Sequence, residues 1–324
     1  MFRLTRRAFA AAALIALASP APLSAAALDE IRIDWAFYNP VSLVLKDQKL
    51  VEKEFEKDGI GVRWVQSLGS NKALEFLNAD SIHFGSSAGA AALIARINGN
   101  PIKSIYVYSR PEWTALVTSK DSAITKVEDL KGKRVAVTRG TDPHIFLMRA
   151  LDGAGVKADE VTFVLLQHAD GRLALSRGDV DAWAGLDPMM ASAELQEGAK
   201  LFFQKPEANS WGVLNVREEF AKTNPEIIAR VLKVYEEGRK WALEHPKELA
   251  ELLAKEAKIP VEVANKQLGE RTELTHNKIG APQRETILAA GLALQHAGVI
   301  EASVNVEQAV DSLIDPEFSS ALGD

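Results

Sequence analysis

The sequence predicts an α/β protein: two blocks of alternating strands and helices, then a C-terminal third that is helical throughout. Three observations carry this prediction. Short apolar runs at period two give way to runs at helical spacing several times before residue 100; the same alternation resumes between Lys133 and Leu195; and beyond Pro225 only helical periodicity remains. Alternation of this kind builds open, largely parallel sheets, whose ligands sit at the carboxyl ends of the strands.

Taken in order, Ile31-Arg32-Ile33-Asp34-Trp35 alternates as a strand. Asn39-Pro40 then opens a helix through Phe55, with Asn39 as N-cap and Pro40 at the first helical position. Gly61 to Gln66 reads as a strand, Ser70 to Asn78 as a short helix, Ile82 to Gly85 as a strand and Ser87 to Ile97 as a helix of small residues. Lys133 to Val137 is the next strand, Gly140-Thr141-Asp142-Pro143 a turn and cap, and Ile145 to Gly153 a helix. Val161 to Leu166 (strand), Asp170 to Arg177 (helix) and Val180 to Leu186 (strand) follow, and Asp187-Pro188 caps a helix through Leu195. The C-terminal helices run from Pro225 to Glu244, Lys247 to Ala257, Pro260 to Leu268, Pro282 to Ala297 and Val306 to Ile314, with no repeat or low-complexity tract.

The chain has 324 residues, 47% hydrophobic and 25% charged, a globular composition that excludes a disordered, collagen-like or coiled-coil protein. At roughly 150 residues per domain it is long enough for two domains, neither needing a disulfide or a metal. The absence of cysteine removes thiolate metal sites, disulfides and cysteine nucleophiles together.

Residues 1–27 are predicted to be an export signal. Arg3, Arg6 and Arg7 precede an apolar run from Ala10 to Ala18, too short to span a bilayer, and Ser24-Ala25-Ala26-Ala27 fits a cleavage site. Thr5-Arg6-Arg7-Ala8-Phe9 has the form of a twin-arginine signal, with an ordinary secretory signal as the alternative. Without those arginines the chain is three units more acidic than the −6 of the whole sequence. An acidic protein without a basic run is not expected to bind nucleic acid, and the exported part is expected to be soluble.

Four strand-to-helix turns become the candidate site: Phe37-Tyr38-Asn39-Pro40, Gly85-Ser86-Ser87-Ala88, Thr138-Arg139-Gly140-Thr141-Asp142 and Gly185-Leu186-Asp187-Pro188. Each offers first-turn N–H groups and the positive end of a helix dipole, which together bind anions. Taken singly, Asn39, Thr141 and Asp142 are also ordinary caps. Trp113 and Trp183 lie near such turns, either as pocket walls or as core. His144 can donate to an anion or simply meet solvent, and Arg139 can neutralise one or pair with a surface acid. The six histidines show no metal-ligand spacing, and neither a nucleophile elbow nor a phosphate loop is present, so no catalytic residue, metal or cofactor is expected.

Three stretches carry a family resemblance: Val127-Glu128-Asp129-Leu130-Lys131-Gly132-Lys133-Arg134-Val135-Ala136-Val137, Arg139-Gly140-Thr141-Asp142-Pro143-His144, and Gly178-Asp179-Val180-Asp181-Ala182-Trp183 running to Asp187-Pro188. With Tyr106-Val107-Tyr108, they resemble the solute-binding proteins of ABC importers for aliphatic sulfonates, taurine and nitrate. The resemblance implies a bilobed periplasmic-binding-protein fold (type II) with a two-strand hinge. Residues 28–111 and 212–324 would form lobe I and residues 112–211 lobe II, with crossings near Ser109 to Trp113 and Asn209 to Val213. It further implies a periplasmic monomer that carries a small organic anion, a sulfonate first of all, to a membrane permease. Carried over by position, Phe37, Tyr38 and Asn39 would form one wall and Ser86 and Ser87 an anion loop. Gly140, Thr141 and His144 would form the opposing loop, with Trp183 and Asp187 closing the pocket.

Ala88-Gly89-Ala90-Ala91 departs from the polar stretch of similar proteins and favours an apolar tail over taurine, although Asp187 could serve an amine. Asp142 would repel an anion unless its carboxylate turned away to cap the helix. Two other functions compete. One is binding of a thiamine-precursor-like heterocycle stacked between Tyr38 and Trp183; the other is an enzyme on the same fold, for which the cysteine chemistry of similar enzymes is absent here.

Overall fold

A computed structural model describes residues 28–323; the export-signal reading concerns residues 1–27 and lies outside them. β1 (Glu30–Trp35), α1 (Pro40–Asp47), α2 (Leu50–Phe55), β2 (Gly61–Gln66), α3 (Ser70–Asn78), β3 (Phe84–Ala88), α4 (Gly89–Ile97) and β4 (Ile102–Pro111) form the first block. The second comprises β5 (Leu116–Thr118), β6 (Arg134–Val137), α5 (Asp142–Gly153), β7 (Thr162–Leu165), α6 (His168–Arg177), β8 (Ala182–Ala184), α7 (Met189–Glu197) and β9 (Lys200–Phe203). The chain then returns through β10 (Gly212–Arg217), α8 (Glu218–Thr223), α9 (Pro225–Glu244), α10 (Pro246–Ala257), α11 (Val261–Asn265), β11 (Thr272–Glu273), α12 (Ala281–His296), α13 (Val306–Leu313) and α14 (Glu317–Ser320).

Two sheets result, in the orders β11-β4-β10-β3-β1-β2 and β7-β6-β8-β5-β9. The chain passes between them twice, through residues 112–115 and 204–211. One apolar core surrounds the first sheet and is completed by the C-terminal helices; two smaller ones cover the faces of the second. The helix starts read from proline and caps are present where local chemistry dictates them. Asn39 Oδ1 accepts from Ser42 N at 3.1 Å, and prolines stand in the first turns of α1, α5, α9, α10 and α12.

The helix expected from Asn39-Pro40 through Phe55 is broken into α1 and α2 at Lys49, which takes φ +53°, and two further elements differ from the sequence reading. Ser86, Ser87 and Ala88 were expected to form a turn and a helix start, yet they continue β3, because Leu214, Val213 and Gly212 of β10 pair with them in antiparallel register. α4 begins only at Gly89. At the C-terminal end, the stretch read as one helix from Pro260 to Leu268 becomes α11 followed by a wider turn over Lys266–Glu270. β11 then adds a two-residue strand to the edge at β4. Gly212 belongs to this hinge region by necessity: a Cβ there would lie 2.4 Å from the Tyr108 ring and 2.6 Å from Ser109 Oγ.

Candidate functional site

Between the two sheets the lobes meet around a small cavity of about 10 Å³, room for about one water, lined by Tyr38, Ser70, Trp113, Thr141, Asp142, Pro143 and Leu186. Its position at the carboxyl ends of β1, β2, β6 and β8 is the one expected for a ligand on open sheets. Tyr38 and Trp113 form an edge-to-face pair with centroids 5.9 Å apart, giving the cavity an aromatic wall. Ser70 opens α3 on one side, and Thr141 and Asp142 open α5 on the other, so the two helix starts face the same space.

On the lobe I side, beneath Tyr38, lies a buried polar network centred on Asp34. Its Oδ1 accepts from Ser86 N at 2.9 Å and from Ser86 Oγ at 2.8 Å, and Asn39 Nδ2 donates to the same hydroxyl at 2.8 Å. The Tyr38 hydroxyl donates to Ser86 O at 3.1 Å, and Asn215 Nδ2 donates to Ser87 Oγ at 2.8 Å. Burial pushes the Asp34 carboxyl up to about 6, against the hydrogen bonds from Ser86. Asn39, Ser86 and Ser87 are thus supports of the wall. Their polar groups are already engaged inside lobe I, which corrects their assignment as a free anion loop.

On the lobe II side, Asp142 corrects a second expectation. Its carboxylate does not turn back to cap α5 but reaches the crossing segments. It accepts from Trp113 Nε1 at 2.8 Å, from Ser210 N at 3.0 Å and from Ser210 Oγ at 2.6 Å. Ser210 Oγ in turn accepts from Ala90 N at 3.0 Å in the first turn of α4, so one buried chain of bonds runs from lobe II through the hinge into lobe I. Thr141 lines the cavity, and its hydroxyl donates to Thr138 O at 2.7 Å, leaving only lone pairs toward the space. Gly140 at the lip takes φ +78°, which a side chain would resist.

The remaining predicted residues lie apart. Phe37 packs edge-on to Trp35, and its carbonyl accepts from Gln267 Nε2 at 3.0 Å. Arg139 is exposed and off the cavity wall. His144 sits behind Thr141, where burial and then Arg139 push its ring down to about 4, so it is uncharged at neutral pH. Trp183 is 0% exposed in the middle of the second sheet, between β5 and β6, and Gly171 of α6 lies against it so closely that a Cβ would be 2.8 Å from Nε1. Its ring is core and lines none of this cavity, although its Nε1 is buried without a partner, and a ring so enclosed cannot stack a heterocycle against Tyr38. Asp187 is claimed as well: Oδ1 accepts from Ala191 N at 2.8 Å, and both oxygens meet Arg271 Nη1 at 3.2 Å, so no free carboxylate is left for a ligand amine.

Ser70 and Pro143 line the cavity although they lie outside the four chosen turns, and Asp142 and Leu186 line it from within those turns although neither was assigned a ligand contact. Ser70 had a signal, since it follows a strand and opens a helix just as the four chosen turns do. Arg271 had none, because its partners are about 80 residues away on another lobe. Among the described residues, no group of acids and histidines could hold a metal ion, and no helix is long and apolar enough to cross a membrane.

Comparison with known proteins places this geometry. A family profile described as NMT1/THI5 like matches residues 54–249. A protein of Escherichia coli (strain K12) named "Putative aliphatic sulfonates-binding protein" is 28% identical over 274 residues, covering 84% of this chain and 85% of that protein. Among solved structures, the alkanesulfonate-binding protein SsuA from Xanthomonas axonopodis pv. citri bound to MOPS superposes with a TM-score of 0.79 at 24% identity, over 88% of this chain and 99% of that one. The periplasmic aliphatic sulphonate binding protein SsuA from E. coli gives 0.75 at 26% identity, over 89% and 92%. The architecture shared with these structures is the bilobed periplasmic-binding-protein fold, as the sequence resemblance implied.

Proposed function

Because the chain belongs to the NMT1/THI5-like family, we propose that it is a solute-binding protein that holds an aliphatic sulfonate, or a related small organic anion, between its lobes. In this reading it delivers the anion to the membrane permease of an ABC importer. The observation that carries the reading is the cavity itself. Two helix starts from opposite lobes, at Ser70 and Thr141, face a space walled by Tyr38, Trp113 and Leu186, and no lysine or arginine lines it. Helix dipoles and first-turn N–H groups suit an anion of dispersed charge, while the aromatic and aliphatic wall suits its tail. The names of the similar proteins support the same ligand class, and their being binding proteins supports capture without turnover.

The lobes in this proposal are residues 28–111 with 212–324, and residues 112–211. The protein acts as a periplasmic monomer, and closure about the two crossings completes the donor set before docking. With the lobes as they stand the cavity has room for about one water, so a ligand enters only as the lobes part, and a short tail requires the least opening. A thermal-shift screen tests the assignment with alkanesulfonates of increasing chain length, taurine, nitrate, sulfate, aromatic sulfonates and pyrimidines. A ligand that binds only the folded state raises the melting temperature by mass action. The expected result is a shift that is largest for short alkanesulfonates and small for taurine, whose ammonium finds no free carboxylate. A shift with a pyrimidine and with no sulfonate would overturn the ligand class.

A further inference from the structure

α3 starts in one lobe and α6 in the other, and their first turns touch. A Cβ placed on Gly69 would lie 2.8 Å from Asn71 Oδ1 and 3.1 Å from His168 Nε2. Gly140, at the start of α5, faces the same asparagine, its Cβ position being 3.6 Å from Asn71 Cβ. Three helix starts therefore converge next to Ser70, the residue that also lines the cavity.

A helix start alone is not a site; the side chains gathered here distinguish this one. His168 is 1% exposed, yet neither ring nitrogen has a hydrogen-bond partner, and Asn71 Oδ1 and Gln167 Oε1 are buried without partners too. Buried polar groups are normally paired, and leaving several unpaired in one place lowers stability with no packing benefit. Burial alone pushes the His168 ring down to about 3, so it is a neutral imidazole with one N–H donor and one acceptor nitrogen. Asp170, the acid in the first turn of α6, is exposed to solvent.

We infer that His168 and Asn71 form the headgroup end of the ligand site, where an oxyanion oxygen is held by the imidazole N–H, by the first-turn N–H groups of α3 and α6, and by the Asn71 Nδ2 group once that amide turns over to replace its unpartnered Oδ1. The tail then extends past Ser70 toward Tyr38, Trp113 and Leu186. This rests on the anion-binding reading above and deepens it: the charge is held where the lobes touch, and not at Ser86 and Ser87.

The test is calorimetric titration of the full chain and of His168→Leu, His168→Gln and Asn71→Ala with ethanesulfonate, alongside their melting temperatures. His168→Leu is expected to bind at least tenfold more weakly while melting at or above the parent temperature, since it removes an unpaired buried polar group. His168→Gln, which keeps a donor and an acceptor, is expected to lose less. If His168→Leu binds as the parent does, the inference falls. It falls equally if that variant does not fold and both His168→Gln and Asn71→Ala bind unchanged. Should the parent ignore ethanesulfonate, sulfate, nitrate, phosphate and acetate replace it in the same comparison. Loss of one of those anions in the variants would retain the headgroup site and discard the sulfonate reading, and binding of none would discard both.

Discussion

Arg271, on the segment leading into β11, reaches across to the other lobe and meets both carboxylate oxygens of Asp187 at 3.2 Å, while its second terminal nitrogen pairs with Glu194 of α7. Asp187 is fully buried and Arg271 is 8% exposed. Burial pushes the Asp187 carboxyl up to about 6, and Arg271 opposes the rise. Removing one partner of such a pair strands the other charge, so Arg271→Met is expected to cost about 3–5 kcal/mol at pH 7.5. Arg271→Met combined with Asp187→Asn should recover a large part of that. Urea unfolding of Arg271→Met, Asp187→Asn and the double variant would decide it, and a loss in the double equal to the sum of the two single losses would show that the residues act independently.

Asp142 joins α5 to both crossing segments through Trp113 and Ser210. Burial raises its carboxyl, and the bonds from Ser210 and Trp113 oppose that. Asp142→Ala would leave three buried donors without their acceptor, at about 1–3 kcal/mol each where no water replaces it. The variant is expected to lose about 3 kcal/mol of stability and to bind ligand more weakly, because Trp113 is no longer fixed against Tyr38. Equilibrium unfolding with a ligand titration measures both, and an unchanged midpoint would mean that water replaces the carboxylate.

What the sequence disclosed and what it hid divide by the range of the interactions involved. Asn39 with Pro40 and the prolines opening α9, α10 and α12 act within one turn, so their patterns are complete in a few residues. The position of the cavity was also legible, because strand carboxyl ends follow from alternation alone. The roles of Ser86 and Ser87 were not. They are decided by β10, which begins about 125 residues later and draws them into the sheet. Asp142 and Asp187 read as local caps, and Asp187 does accept from Ala191 N. Their other partners, Ser210 and Arg271, lie on segments remote in sequence and near only in the fold.

Trp183 shows the same limit on one strand. It stands near the carboxyl end of β8, where a pocket wall is plausible from spacing, but its side chain packs under Gly171 of α6 with Ala136, Ala174 and Leu175. Trp183→Ala should therefore act on stability, by about 3–5 kcal/mol, and leave the affinity of the folded fraction within about twofold of the parent. Chemical denaturation and a binding titration below the unfolding range separate the two effects. A large loss of affinity in a fully folded variant would return Trp183 to the site.

Asp34 gives the protein a pH signature of defined sign. Its Oδ1 is satisfied by Ser86, whereas its buried Oδ2 has no partner, and burial raises the carboxyl from 3.8 to about 6. A carboxyl raised on folding keeps its proton longer in the native state than in the unfolded one. Its contribution to stability is therefore fully present below about pH 4 and is lost as the pH rises through about 6. A shift of roughly two units corresponds to about 3 kcal/mol. In Asp34→Asn the amide oxygen can still accept from Ser86, and no charge has to be buried at neutral pH. The variant should match the parent near pH 3.5 and exceed it by about 3 kcal/mol at pH 7. Asp187 titrates with the same sign, while His83, His144 and His168, all lowered by burial, titrate with the opposite sign over an overlapping range. These groups are common to both proteins and cancel in the difference between them. Urea unfolding of the pair from pH 3.5 to 7.5 gives that difference directly. A flat difference would mean that Asp34 is as well solvated by Ser86 as it is by water in the unfolded chain, and that its unpartnered oxygen costs the fold nothing.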